Sequence, residues 1–249
     1  MNKQSTTETA KVPSNERVLL VLSVIAGHGT PISARDISVK TKLPLSSLYR
    51  QLKILKKWGL VQENSHSGLY QPGPMGLQLA WGFDQHSRLM HIAHAEMVEL
   101  AEKTGESIGL LAHVNGQIIC LDMLESQQPL RCSFAKGKVN SAVLGASAKA
   151  LLAHLPETTL KPILDNYPTD EVTLPKQLEQ CRQDGYAVSE SEIDQDVWGV
   201  SAPVFSAENK LECTLSLMAP ASRALAHAAE YIALTQAAAE RITQQLAVK

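Results

Sequence analysis

Apolar positions in the first third of the chain recur at helical spacing and break at glycine and proline. Val18, Leu19, Leu22 and Ile25 stand at i, i+1, i+4 and i+7, one face of a helix that begins near Ser14. Gly27-His28-Gly29-Thr30-Pro31 ends it. A short second helix starts at Ser33, where Ser33-Ala34-Arg35-Asp36 has the form of a capping box with an acid in its last place. Ile37 is its apolar anchor, and it stops near Thr41. After the turn at Leu43–Ser47, a third helix repeats Leu48, Leu52 and Leu55, with Ile54 and Trp58 widening the stripe. Gly59 closes it. Leu60–Glu63, the turn Asn64–Gly68 and Leu69–Gln71 then read as a small hairpin. Three helices followed by a hairpin have the order of a winged helix-turn-helix.

Beyond Pro72-Gly73-Pro74 the pattern predicts a helix from Met75 to about Phe83. A longer one follows, with Leu89, Ile92, Ala93, Glu96, Met97 and Leu100 at the 3/4 period and Thr104-Gly105 at its end. Ser107–Val114 and Gln117–Met123 flank Asn115-Gly116, which suits a type I′ hairpin turn. Leu130–Phe134 is a further strand; Ala146–His154, Pro156–Asn166 and Pro175–Asp184 are helices, the last stopped by Gly185. Gly199–Phe205 and Leu211–Met218 make a second hairpin, and an alanine-rich helix over about Ser222–Ala247 ends the chain. Hairpins with helices gathered around them predict an α+β fold rather than a doubly wound sheet. The expected organisation is a disordered tail over 1–13, a winged helix-turn-helix over 14–74, a helical linker over 75–104 and a second domain over 105–249.

Charge sharpens this division. The 249 residues carry a net charge of −2, yet residues 1–80 hold ten Lys/Arg against four Asp/Glu, or +6, which leaves −8 for the rest. A basic segment beside an acidic one suggests that only the first meets a polyanion. The exposed side of the third helix carries Ser46, Ser47, Tyr49, Arg50, Lys53, Lys56 and Lys57. A charged stripe is commonly just a solvated helix face. Here it lies third in a helical trio, with hydroxyls in its first turn and a hairpin after it, which favours the major groove of double-stranded DNA. Arg50 has the guanidinium geometry for guanine O6 and N7; Tyr49 suits a thymine methyl or a phosphate. Ser46 and Ser47 suit phosphates or bases, Lys53, Lys56 and Lys57 add sequence-independent attraction, Arg35 and Lys42 are further candidate DNA contacts, and His66 and Ser67 at the wing tip are placed to reach backbone or minor groove.

The residues that carry this pattern also carry a resemblance. Pro44-Leu45-Ser46-Ser47-Leu48-Tyr49-Arg50-Gln51-Leu52 and Trp58-Gly59-Leu60-Val61 resemble the DNA-binding domain of the IclR family of bacterial transcription regulators. Ala146-Ser147-Ala148-Lys149-Ala150-Leu151-Leu152-Ala153 is similar to that family's Gly-Lys-Ala-Leu-Leu-Ala helix. Gly185-Tyr186-Ala187-Val188 and Ser201-Ala202-Pro203-Val204-Phe205 resemble its later signatures, so the likeness runs from about Asn15 to the C-terminus. The resemblance implies a GAF-like effector-binding domain, a connecting helix that helps dimerise, and a homodimer or homotetramer on an operator. It also implies a small carboxylate effector, such as a sugar acid, keto acid or aromatic acid. The effector positions it implies are Ala146, Ser147, Ser189, Val197, Gly199, Ser216 and Met218. The chain departs from the family pattern at Ala148, at Ser189-Glu190-Ser191-Glu192 and at Trp198-Gly199. Independently of the family, N–H groups at the start of the Ala146 helix would face an anion, and Ser147, Ser189 and Ser216 would add neutral donors. A plain helix cap and an ordinary strand serine explain the same residues.

Other chemistry is weaker. No Gly-x-Ser-x-Gly elbow, Walker loop or Gly-x-Gly-x-x-Gly appears. Cys120, Cys132, Cys181 and Cys213 are scattered without a Cys-x-x-Cys pair and read as core or surface residues. His91 and His94 lack a third ligand, and the alternation Glu190, Glu192, Asp194, Asp196 reads as a solvated loop edge. The expectation is therefore no cofactor, no metal and no catalysis; the rival is an enzyme whose winged domain only recruits it. No apolar run reaches the roughly 18 residues of a membrane span, and residues 1–11 lack a signal-peptide core, which points to the cytoplasm.

Overall fold

A computed structural model describes residues 12–166 and 173–248. The chain divides after His86 into two compact units, Met1–His86 and Ser87–Lys249. The tail expected over 1–13 lies outside the described residues up to Lys11.

The first unit contains α1 (Arg17–Gly27), α2 (Ala34–Thr41), α3 (Leu45–Lys57), β1 (Val61–Glu63), β2 (Tyr70–Pro72) and α4 (Met75–His86). Val21, Ile25, Ile37, Leu48, Leu52 and Leu55 pack together, which is the expected leucine stripe of α3 closed against α1 and α2. Ile54 and Trp58 depart from that stripe and are exposed, because the helix turns them past the edge of the core. Ser33 caps α2 by accepting from the Asp36 N–H at 3.1 Å, while its own hydroxyl donates to the Asp36 carboxylate. β1 and β2 pair antiparallel, Ile32 bonds Tyr70 in both directions, and the Asn64 side chain accepts from the His66 and Ser67 N–H groups to shape the wing tip. The wing returns beneath Gly59, and a Cβ at Gly73 would sit 2.3 Å from the Gly59 carbonyl oxygen.

The second unit contains α5 (Arg88–Thr104), β3 (Ser107–Val114), β4 (Gln117–Leu124), β5 (Val139–Asn140), α6 (Ala146–Leu152), α7 (Glu157–Asn166), α8 (Thr173–Asp184), β6 (Ala187–Glu190), β7 (Val197–Phe205), β8 (Leu211–Pro220), α9 (Ala221–Ala224) and α10 (Ala228–Ala247). Six strands form one antiparallel sheet in the order β5-β4-β3-β8-β7-β6. The architecture is α+β, as the alternation of hairpins and helices predicts. Asn115 and Gly116 both take positive φ, as their hairpin turn requires. Strand parity sorts the sheet's residues: Trp198, Val200, Ala202 and Val204 on β7, with Cys213, Leu215 and Leu217 on β8, join the core under α5 and α10. The alternate residues face α6.

Three sequence expectations change. Leu130–Phe134 is not a strand; it is a loop held where Ser107 donates to the Cys132 carbonyl at 2.6 Å and Arg131 bonds Glu125. The C-terminal helix breaks into α9, a 3₁₀ turn and α10. The two helices of 75–104 differ in allegiance, since Met90, Ala93, Met97 and Leu100 of α5 belong to the core of the second unit. Buried Glu96 secures α5 by accepting from Arg241 and Gln245 of α10. The strands β5 and β6 had no separate sequence signal.

Gly73→Ala should lower urea-unfolding stability by about 1–3 kcal/mol, because the added methyl meets backbone that cannot swing aside. Gly76→Ala, where nothing lies within 4 Å of the added methyl, should leave stability unchanged or raise it.

Candidate functional site

Two surfaces gather the residues singled out from sequence. On the first unit, α3 buries Leu48, Leu52 and Leu55 and turns Ser46, Tyr49, Arg50 and Lys53 to solvent. Arg35, Lys42 and His66 are also exposed. No hydrogen bond or ion pair of the described residues engages the Arg50 or Lys53 side chain. Lys56 differs: it is paired with Glu63 of β1, which ties the wing to α3 and lowers the Glu63 carboxyl below its ordinary value. Ser47 is a correction. It is only 6% exposed, faces the helical core, and its hydroxyl finds no partner among the described residues. Ser47 precedes Leu48 on the inward side of α3, whereas Ser46, one 100° step away, lies on the exposed side.

On the second unit, a cavity of about 200 Å³ opens between the start of α6, β6, β7 and the loop of residues 131–134. Ala146, Ser147, Ser189, Val197, Gly199 and Met218 line it, six of the seven positions expected for an effector. Ser216 is not among the lining residues; its hydroxyl is bonded to those of Ser147 and Ser201. The Oγ atoms of Ser147, Ser201 and Ser216 form a triangle with sides of 3.2 Å (147–201), 3.0 Å (147–216) and 2.6 Å (201–216). Ser201 and Ser216 meet because β7 and β8 pair them directly. Sequence reading missed Ser201, although its parity with Gly199 on one strand carried the signal.

The larger surprise lies at the helix start. The N–H of Gly145 donates to Glu192 Oε2 at 3.0 Å, and Lys149 Nζ donates to Glu192 Oε1 at 2.6 Å and to the Val188 carbonyl at 2.7 Å. Glu192 is therefore not a solvated loop acid; an anion already stands at the first N–H of this helix, and it belongs to the chain itself. Lys149 is 4% exposed and needs such a counter-charge. That was the available sequence signal: a lysine inside Ala-Ser-Ala-Lys-Ala-Leu-Leu has to find a carboxylate. The neighbouring Ile193 packs so closely that a Cβ on Gly145 would lie 2.6 Å from its Cδ1, and Gly145 holds φ +91. Glu192 and Ile193 are thus fastened onto α6 and form one wall of the cavity. Arg131, Cys132 and Phe134 supply the facing wall, and Asp194 also lines the cavity.

Burial pushes the Cys120 and Cys181 thiols up to about 11 and raises those of Cys132 and Cys213, which keeps them as thiols near neutral pH. Among the described residues no three His, Cys, Asp or Glu side chains converge to hold a metal. His94 is hydrogen-bonded to Asp122 at 2.9 Å. No helix among the described residues is long and apolar enough to cross a membrane.

Comparison with known proteins covers both units. Residues 14–65 match the IclR helix-turn-helix domain, and residues 84–244 match the C-terminal domain of the bacterial transcriptional regulator IclR. The HTH-type transcriptional regulator KipR of Bacillus subtilis is 25% identical over 199 residues, spanning 76% of this chain and 79% of that protein. The HTH-type transcriptional repressor AllR of Salmonella typhimurium is 26% identical over 217 residues, or 84% of this chain and 80% of its own. A crystal structure of an IclR family transcriptional regulator from Brucella abortus superposes with a TM-score of 0.80 at 20% identity, covering 98% of this chain and 97% of that one.

Lys149→Met should lower stability by about 2–3 kcal/mol in chemical denaturation. This is below the roughly 3–5 kcal/mol of a wholly buried broken pair, because the Glu192 side chain is 29% exposed.

Proposed function

The chain belongs to the IclR family of bacterial transcriptional regulators, and from that premise we propose that it represses a catabolic operon under the control of a small carboxylate. The observation that carries the DNA half of this reading is the split personality of α3, with leucines held inward and Arg50 and Lys53 free on the outside. In this reading Arg50 reads a base edge in the major groove, with Ser46 and Tyr49 beside it. Arg35, Lys42 and Lys53 neutralise phosphates, and His66 follows the backbone from the wing. Ser47 has no part in the contact. The molecule works where its operator is, in the cytoplasm.

Two copies are needed to read a two-fold operator. Support for self-association comes from α4, whose Leu77, Leu79, Trp81 and Phe83 are all exposed and whose residues are nowhere buried within the chain. Four large apolar side chains on one short helix are costly in water and are relieved by a second copy. A homodimer, or a homotetramer built from two, is the assembly this reading requires. The AllR relative is named a repressor, and repression is the simplest outcome of a protein that occupies an operator.

The effector half rests on the cavity at α6. The sheet residues that line it sit on the same strands as the core residues under α5, in the opposite parity. A ligand that shifts β7 and β8 therefore bears on α5, and α5 is continuous in sequence with the DNA-binding unit. Such coupling requires only that the ligand prefer one arrangement of that core over another.

In a gel-shift series on operator DNA selected by the protein from its own genome, Arg50→Ala should weaken binding by about 1–3 kcal/mol and relax the preference at one base pair. Lys53→Ala should weaken all sequences alike and reduce the salt slope by about one. Unchanged affinity in both variants overturns the assignment of this face.

A further inference from the structure

The cavity at α6 has a proton count and a charge balance that narrow its ligand; the inference rests on the effector reading above and goes on to the ligand's class. Ser147, Ser201 and Ser216 make three mutual contacts. Three contacts consume three protons, and three hydroxyls own only three. Closed in this way, the triangle presents lone pairs and nothing to donate. Ser201 and Ser216 are 0% and 1% exposed, so water does not compete for these bonds. The hydroxyl cluster of the cavity floor therefore accepts hydrogen bonds.

The charges lead to the same place. Lys149 is neutralised by Glu192, and both oxygens of that carboxylate are occupied. Arg131 lines the cavity and is paired with Glu125 through Nε, which leaves its remaining N–H groups without a partner among the described residues. Asp194 lines the cavity too, and no hydrogen bond or ion pair of the described residues engages its carboxylate. The lining and its partners therefore sum to one negative charge. A bare monocarboxylate would bring its oxygens toward lone pairs and its charge toward a negative wall. At about 200 Å³ the space suits only a small molecule.

We propose that this cavity takes a small zwitterion, an acid that also carries an ammonium group. The ammonium donates to the oxygen of Ser147, the part-exposed member of the triangle, in the field of Asp194, and the carboxylate meets the free N–H groups of Arg131. The ligand is neutral overall, and each end finds the complement that the cavity offers.

The test is calorimetric titration of the full-length protein with carbon skeletons of graded length, each supplied as the amino, hydroxy, keto and unsubstituted acid. For the skeleton that binds, the amino acid should bind about tenfold or more tightly than its three counterparts, the loss expected when a charged donor is removed from its acceptors. Asp194→Asn, a change on the exposed rim, should narrow that gap. Ser201→Ala should narrow it too, because two hydroxyls sharing one contact leave a proton free to donate to a keto or hydroxy oxygen. Equal binding of the unsubstituted or keto acid overturns the zwitterion and leaves the effector reading standing. An unchanged gap in both variants overturns the assigned contacts. Failure of every acid to bind a protein that still shifts DNA overturns the effector reading and this inference with it.

Discussion

The register of β7 on β8 is the constraint on which the second unit depends. Pairing Ser201 with Ser216 and Val200 with Leu217 sends one set of side chains under α5 and α10 and the other toward α6. A slip of one residue would exchange the sets, burying hydroxyls under α10 and pushing valine and leucine into the cavity. Core and cavity are thus two faces of one decision. Any ligand that moves these strands acts on the packing of α5 without a separate device for transmission.

The same logic, at a helical period, governs the first unit. Leu48, Leu52 and Leu55 determine which side of α3 faces α1 and α2, and so determine that Arg50 and Lys53 face away. The wing adds rigidity at modest cost. Lys56 is paired with Glu63, so the unpaired cations of this face are fewer than a count of lysines implies. Both pair members are substantially exposed, and the gain is one of positioning more than stability.

At the edge of the cavity, the N-cap N–H of α6 is already taken by a carboxylate of the chain itself. Glu192 meets the Gly145 N–H and the Lys149 ammonium, so its removal would leave a buried cation without a counter-charge. Among the residues that line the cavity, Arg131 is the cationic one. The half-buried ion pair Glu106–Arg223, with both guanidinium bonds at 2.7 Å, sits beside Ser107, whose hydroxyl holds the Cys132 carbonyl. The loop carrying Arg131 is therefore braced from behind by the fold.

What the chain's order of residues determined alone was whatever depends on period and neighbours. The leucine spacing of α3, the cap at Ser33, the Asn115-Gly116 turn and the cavity positions Ala146 to Ser147 were all legible, because local geometry and a family likeness carry them. What only the tertiary structure decided was whatever joins residues far apart. Glu192 and Lys149 are separated by 43 positions, and Ser147, Ser201 and Ser216 come from three elements. Even Ser47, adjacent to Ser46, was assigned inward only when α3 was packed and its rotation fixed. Local periodicity states that a helix has two sides; the contacts made by the rest of the chain choose which residues stand on each, because burial is a property of the whole packed unit.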